Sequence, residues 1–495
     1  MSTLKKLAGQ TVIYGLSSIL ARFFNYLLVP LHISVFTTDQ FGIITEMYSY
    51  VAFLVVLLTY GMETAYFRFA TKEGIENDKV FTTTFLSLLA TSSMFILVCS
   101  LFSIPIGNLL KYPNNSEYVI WFAIIVSLDA LTSIPLAKLR AENKAKKFAL
   151  VNIVNVLVNI SLNLFFFLYC LPHYQSGNIN WVVKTFYNPE IGVGYVFISN
   201  LIASMIKLLM VRKYFSFNRN YFSFPLLKSM LTYSLPLLVA GLAGMVNETI
   251  DRIMMKNLLW NSLGEKATMS QIGIYGAAYK LSIIITLSIQ AYRYAAEPFF
   301  FKLEKNANAK ETYARIMNYF TFFLCLTFLT VTVFIDFFKY FIPNTAFWEG
   351  LKVVPILLMA NVFLGIYLNQ SIWYKLSNQT RYGSYLSVAG AIVTILLNYL
   401  WIPIYGYVGS AWATLICYGS MMIGSYILGQ RHYPIPYKLK QVFFYLGFAL
   451  LLFFGNKVIH FENSLLKYLA ASFSILVFIY AGWRIEKKDL NFKKA

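Results

Sequence analysis

Five residues near the N-terminus, Thr11, Gly15, Ser18, Arg22 and Asn25, stand at steps of 4, 3, 4 and 3. On an α-helix this spacing gathers all five on one side. A guanidinium flanked by an amide and a hydroxyl can hold an anion by charge-assisted hydrogen bonds. Arg22 lies about 24 Å of helical rise beyond Lys6, deep in an apolar run. A charge at that depth costs at least about 3 kcal/mol unless it meets water or a partner. A structural ion pair would meet that need as well, whereas snorkelling is difficult from mid-span.

A second row is made of amides. Asn152, Asn155, Asn159 and Asn163 follow at steps of 3, 4 and 4. Four amides on one helical face suit either a sugar-binding wall or hydrogen bonds between helices. A third row is Tyr275, Tyr279, Ser282, Thr286, Gln290 and Arg293, with Lys280 turned about 100° from Tyr279. Lys280 suits a cavity wall or a pairing with a neighbouring carboxylate, and Arg293 an anchor at the inner interface.

The acids deepest in apolar sequence are Asp129, near mid-span, and Glu63. Asp129 is placed to counter Arg22 or to take up a proton. Glu46 reads as an interface charge. Glu248, Asp251 and Arg252 end another apolar run, where they suit an outer gate or a solvated interface. Pro236, followed by Gly241 and Gly244, interrupts that run and predicts a kinked, bending helix.

The elements that position these residues follow from composition. The chain is 58% hydrophobic and 13% charged, against about 25% charged residues in a soluble domain. Fourteen apolar runs are long enough to span a bilayer: 10–33, 42–69, 81–105, 118–137, 148–171, 191–211, 226–250, 270–292, 312–335, 351–372, 383–402, 405–429, 440–458 and 464–483. With the N-terminus in the cytoplasm, thirty of the 41 Lys and Arg residues fall in inside segments and nine in outside ones. Arg22 and Lys280 remain within spans. That asymmetry follows the positive-inside rule and supports the span count. It also explains the net charge of +20 without nucleic acid, which needs basic residues gathered on one folded face.

Cys99, Cys170, Cys325 and Cys417 sit in apolar runs with no CxxC, so neither a disulfide framework nor a metal site is expected. No cleavable signal pattern is expected at the N-terminus.

The sequence repeats. Tyr14-Gly15-Leu16 matches Tyr233-Ser234-Leu235, and Gln40-Phe41-Gly42-Ile43 matches Gln271-Ile272-Gly273-Ile274. Lys138-Leu139 matches Lys375-Leu376, and Leu162-Asn163 matches Leu397-Asn398. The repeat unit is six spans, so both copies keep one orientation, related by an axis along the membrane normal with a cavity between them. The expected divisions are a first lobe over 1–212, a cytoplasmic linker over 213–225, a second lobe over 226–430 and two added helices over 431–495. The fold class is therefore an all-α integral membrane protein with fourteen transmembrane helices.

Gly61-Met62-Glu63-Thr64-Ala65-Tyr66-Phe67-Arg68 resembles the GLE-x-A-x-x-R element of Wzx-type bacterial polysaccharide and O-antigen flippases. These belong to the multidrug/oligosaccharidyl-lipid/polysaccharide (MOP, MATE-like) superfamily. Phe41-Gly42-Ile43 resembles the opening of their second helix, and Tyr405-Gly406-Tyr407-Val408-Gly409-Ser410-Ala411 the start of their twelfth. The resemblance implies a two-lobed transporter in the bacterial inner membrane, with both termini cytoplasmic. It would flip a polyprenyl-pyrophosphate-linked oligosaccharide by alternating access, driven by a proton or sodium gradient and without another cofactor. It implies a cationic cavity in which Arg22 receives the pyrophosphate. Lys280, Asn25, Ser18, Asn152, Asn155, Asn159, Arg68 and Arg293 are the further binding candidates. Asp129, Glu63, Glu248, Asp251 and Pro236 are the coupling or gating candidates. The expected partners are the lipid-linked oligosaccharide, membrane lipid, a polysaccharide polymerase and a chain-length regulator, with the chain acting as a monomer.

Two transporters of the same superfamily compete, a multidrug/cation antiporter and a lipid II flippase. An antiporter for cationic drugs would carry a more acidic cavity than these residues make. An enzyme fits poorly. The longest outer loop, 172–190, offers only His173, Lys184 and Glu190, and no phosphate loop or metal-ligand cluster is apparent.

Overall fold

The computed structural model describes residues 19–71, 74–215, 221–303, 306, 308–459 and 463–492. Its described residues are helical and turn segments without a strand. Thirteen helices are long and apolar enough to cross a membrane, and a shorter apolar helix, α1 (Ile19–Val35), precedes them. In chain order the thirteen are α2 (Thr38–Ala70), α3 (Asn77–Leu101), α4 (Glu117–Ala141), α5 (Ala145–Gln175), α6 (Gly194–Tyr214), α7 (Phe224–Leu263), α8 (Glu265–Phe301), α9 (Ala309–Val333), α10 (Thr345–Leu376), α11 (Arg381–Tyr405), α12 (Tyr407–His432), α13 (Leu439–Val458) and α14 (Ser464–Ile485). Thr11, Gly15 and Ser18 lie outside the described residues.

The chain divides into two compact units, Met1–Met245 and Val246–Ala495. The division falls inside α7. In the first unit α4 is the central helix and packs against α2, α3 and α6. Its buried side chains, among them Ala123, Val126, Ala130, Ile134 and Ala137, recur at helical spacing and include many small residues. Close backbone approach is what binds helices in lipid, where burying apolar surface gains little. The second unit is built on α10, which packs against α8, α9 and α12. α13 and α14 dock on α9, through a hydrogen bond between Asn318 and Gln441 and stacking of Phe322 on Phe478 at 5.2 Å.

The repeat is visible in local geometry. Asn163 in α5 donates its amide to the Asn159 carbonyl at 2.8 Å. Asn398 in α11 donates to the Thr394 carbonyl at the same 2.8 Å. Both asparagines are fully buried. The α4–α5 and α10–α11 turns also match. Asn143 (φ 58°) and Asn378 (φ 55°) take the left-handed conformation. The next amide returns five residues, Lys144 to the Leu139 carbonyl and Gln379 to the Tyr374 carbonyl, each at 2.8 Å. This is a Schellman ending with asparagine in the usual glycine position. The turns align Arg140 with Lys375, two residues away from the Lys138–Lys375 match read in the sequence.

Two helices differ from expectation. α7 continues thirteen residues past 250, to Leu263, and α8 begins at Glu265 rather than 270. The extra turns carry Asp251, Arg252 and Lys256, whose charge reads as solvent-exposed sequence, yet all three are buried.

Candidate functional site

The polar face of α1 meets that of α5 in the first unit. α1 breaks at Leu27 and resumes over Leu28–Val35. Asn159 Nδ2 donates to Asn25 Oδ1 at 3.2 Å. Asn163 Nδ2 reaches Asn159 Oδ1 at 3.2 Å, and Asn163 Oδ1 meets His32 Nε2 at 2.8 Å. His32, which the sequence reading passed over, is buried and packs edge-on against Phe167 at 6.0 Å. Just beyond Asn163, Phe165–Cys170 form a π-helical turn. The Asn159–Asn163 end of the amide row is therefore a fastening between helices. The other end is not: Asn152 and Asn155 are half-exposed. Among the described residues Asn152 Nδ2 bonds only its own helix, at the Phe148 carbonyl (3.1 Å).

Arg22 and Asn25 are exposed in the isolated chain. Among the described residues the Arg22 guanidinium has no ion pair. The exposed apolar residues of this segment are Phe23 and Leu27. They sit roughly 150° around the helix from the midpoint of Arg22 and Asn25. The cation thus faces away from the apolar side of its helix.

Asp129 does not meet Arg22. Its Oδ1 accepts from Lys207 Nζ of α6 at 3.1 Å and from Ser204 Oγ at 3.4 Å. Asp129 is midway along α4, about 18 Å from either end. This is an ion pair at the middle of α4, and Lys207 is a helix residue rather than part of a loop.

The GLE-like element has a local explanation. α2 breaks at Tyr60 (φ 31°) and Gly61 (φ 72°), and restarts at Met62. A Cβ on Gly61 would stand 2.9 Å from the Ser234 carbonyl oxygen of α7. Only glycine meets both the left-handed backbone and this approach. The restart places Glu63 in an ion pair with Arg140 of α4, and Arg68 4.2 Å over the Tyr233 ring. Pro236 lies inside α7, one turn from that contact. Glu46 is fully buried and accepts from the Tyr112 hydroxyl, so it is a core group rather than an interface charge.

In the second unit Asp251 and Arg252 form a buried pair at 2.8 Å. Tyr275 donates its hydroxyl to Asp251 Oδ2 at 2.7 Å. The Arg252 guanidinium lies 4.3 Å over the Tyr279 ring and also donates to the Glu248 carbonyl. These groups were expected at a gate or a solvated interface. They are buried because α7 continues past them against α8, whose tyrosines satisfy the charges. The Glu248 side chain is exposed, and Lys280 is half-buried within electrostatic reach of Arg252 and Glu248. Asn247, one turn before Asp251, was also missed. It donates to the Ser387 carbonyl at 3.1 Å and accepts from Thr394 at 3.3 Å. An asparagine and an aspartate four apart in one helix were the available signal. Arg293 is half-buried near the Tyr374 hydroxyl, apart from this cluster. Among the described residues no group of three His, Cys, Asp or Glu side chains is placed to hold a metal ion.

Comparison with known proteins bears on what such a scaffold does. A family model described as polysaccharide biosynthesis protein matches residues 7–304. No protein of curated function matches the sequence. Solved structures share the fold at low identity. One described as "Lipid II flippase MurJ, inward closed conformation" has a TM-score of 0.73 and 14% identity, covering 96% of this chain and 99% of its own. An inward-facing multidrug resistance MATE family transporter of the MOP superfamily has a TM-score of 0.63 and 13% identity, covering 83% and 94%. An outward-facing MATE family transporter has 0.58 and 14%, covering 86% and 95%.

Proposed function

Because this chain belongs to the polysaccharide biosynthesis protein family, we propose that it flips a polyprenyl-pyrophosphate-linked oligosaccharide across the bacterial inner membrane by alternating access. Surface polysaccharide assembly is the process it would serve. The observation that carries this reading is Arg22, set on the side of α1 opposite Phe23 and Leu27. A pyrophosphate and its sugars cannot cross about 30 Å of hydrocarbon unaided. A fixed guanidinium in a polar interior offers the anion what water otherwise supplies. Lys280, half-buried in α8, is a further candidate cation, and the prenyl chain stays in lipid.

Coupling to an ion gradient is part of the proposal. Asp129 is the acid best placed for it, since its partner Lys207 would be released when the carboxylate takes up a proton. Glu63 and Arg140, at the broken end of α2, suit a gate that opens by parting.

The test is depletion of the chain in its host. Lipid-linked oligosaccharide should accumulate on the inner leaflet while surface polysaccharide falls, and Arg22→Ala should reproduce this with normal protein levels. Unchanged polysaccharide together with cellular retention of cationic dyes would instead favour a multidrug transporter. Asp129→Asn should remove the dependence of export on the ion gradient.

A further inference from the structure

The structure separates the α5 amides into two groups with different work. Asn159 and Asn163 are tied to Asn25 and His32. Asn152 and Asn155 are not tied to another helix, and among the described residues the Asn155 side chain makes no hydrogen bond. The exposed apolar residues of this stretch are Leu150, Leu157 and Leu164. On a helix of 3.6 residues per turn their mean direction lies about 170° from that of Asn152 and Asn155. The two open amides therefore face the interior of the bundle, yet remain half-exposed there. Asn155 there keeps two donors and an acceptor for a polar ligand, and Asn152, with one N–H given to the Phe148 carbonyl, keeps one donor and the acceptor.

α1 and α5 run parallel at this point, because the contacts ascend together from Asn25–Asn159 to His32–Asn163. One turn inward from Asn25 is Arg22, and one turn inward from Asn159 is Asn155. The cation and the open amides thus occupy neighbouring levels of one polar face.

We propose that Asn152 and Asn155 read the sugar joined to the pyrophosphate, hydrogen-bonding its hydroxyl groups while Arg22 meets the anion. The inference rests on the proposed substrate class and assigns a division of labour within it. An ionised pyrophosphate has no hydrogen to give the amide carbonyls, whereas a sugar hydroxyl both donates and accepts and can pair with the whole amide.

The experiment uses the full chain in lipid nanodiscs and two probes, undecaprenyl pyrophosphate and undecaprenyl-pyrophosphoryl-N-acetylglucosamine. Wild-type protein should bind the sugar-bearing probe more tightly. Asn155→Ala, and more so Asn152→Ala with Asn155→Ala, should weaken the sugar-bearing probe by about 10-fold, one or two hydrogen bonds' worth. Binding of the bare pyrophosphate should stay unchanged, as should the melting temperature. Asn155→Gln keeps the amide but shifts it by one methylene. It should alter the same ratio and serves if the alanine variant does not fold. Equal weakening of both probes, or no change in either, overturns the inference while leaving the proposed function standing. Wild-type protein that binds neither probe overturns the proposed function itself, and this inference with it.

Discussion

Asp251 and Arg252 are adjacent in sequence and buried together, with Tyr275 donating to the acid and the Tyr279 ring against the guanidinium. Removing one member of a buried pair leaves the other charge uncompensated, at about 3–5 kcal/mol. Arg252→Ala should therefore lower thermal stability sharply in detergent or nanodiscs. The double change Asp251→Asn with Arg252→Leu should recover much of the loss, and strictly additive losses would show that the pair is not coupled. A milder pair joins the segment after α9, outside the spans, to the first turn of α14. Asp336 accepts from Lys339 at 2.8 Å and from Lys467, and these bonds hold its carboxyl below the usual value. A carboxyl depressed on folding adds stability above its unfolded value, near pH 4, and loses it as pH falls toward the folded value. Lys467 is about half exposed, so solvent screening limits the contribution to about 1 kcal/mol or less. Asp336→Asn should cost that much at pH 7 and progressively less below pH 4, as read from melting curves against pH.

The break in α2 is the element where one atom has the clearest consequence. Gly61→Ala adds a Cβ at a positive φ, 2.9 Å from a backbone oxygen that cannot move aside cheaply. The strain is about 1–3 kcal/mol, and it should shift the restart that aims Glu63 and Arg68. The expected result is a lower melting temperature and, in the host, reduced export. A variant with wild-type stability and export would sink this account of the break. Most helices were legible in the sequence because a run of about 20 apolar residues has few alternatives. The end of α7 was not, since Asp251, Arg252 and Lys256 look solvated until Tyr275 and Tyr279 are placed beside them. The α5 row was legible as a face but not as a function. Only the positions of His32 and Asn25 show which amides are fastened. The Asp129–Lys207 pair was hidden for a similar reason: a lysine near the end of α6 reads equally well as a loop anchor.

At the scale of the whole chain, the duplicated six-helix pattern and the basic-residue asymmetry make one joint demand on topology. Six is even, so corresponding turns of the two copies must lie on the same side of the membrane. The matched asparagine turns after α4 and α10 identify those positions. Cysteine scanning can read the result directly, because the four native cysteines are buried. Cysteines placed at Ser176, after α5, and at Ala346, at the start of α10, should react with an impermeant maleimide in intact cells of a strain lacking the outer-membrane barrier. Cysteines at Ala141 and Thr380 should react only after the inner membrane is opened. All four positions are exposed. Labelling of Ala141 and Thr380 from opposite sides would mean that one copy is inverted, and a polar interior assembled from like-facing halves would then be excluded. If both pairs follow the expected sides, the two copies cross the membrane in one orientation, as a repeat of six spans requires.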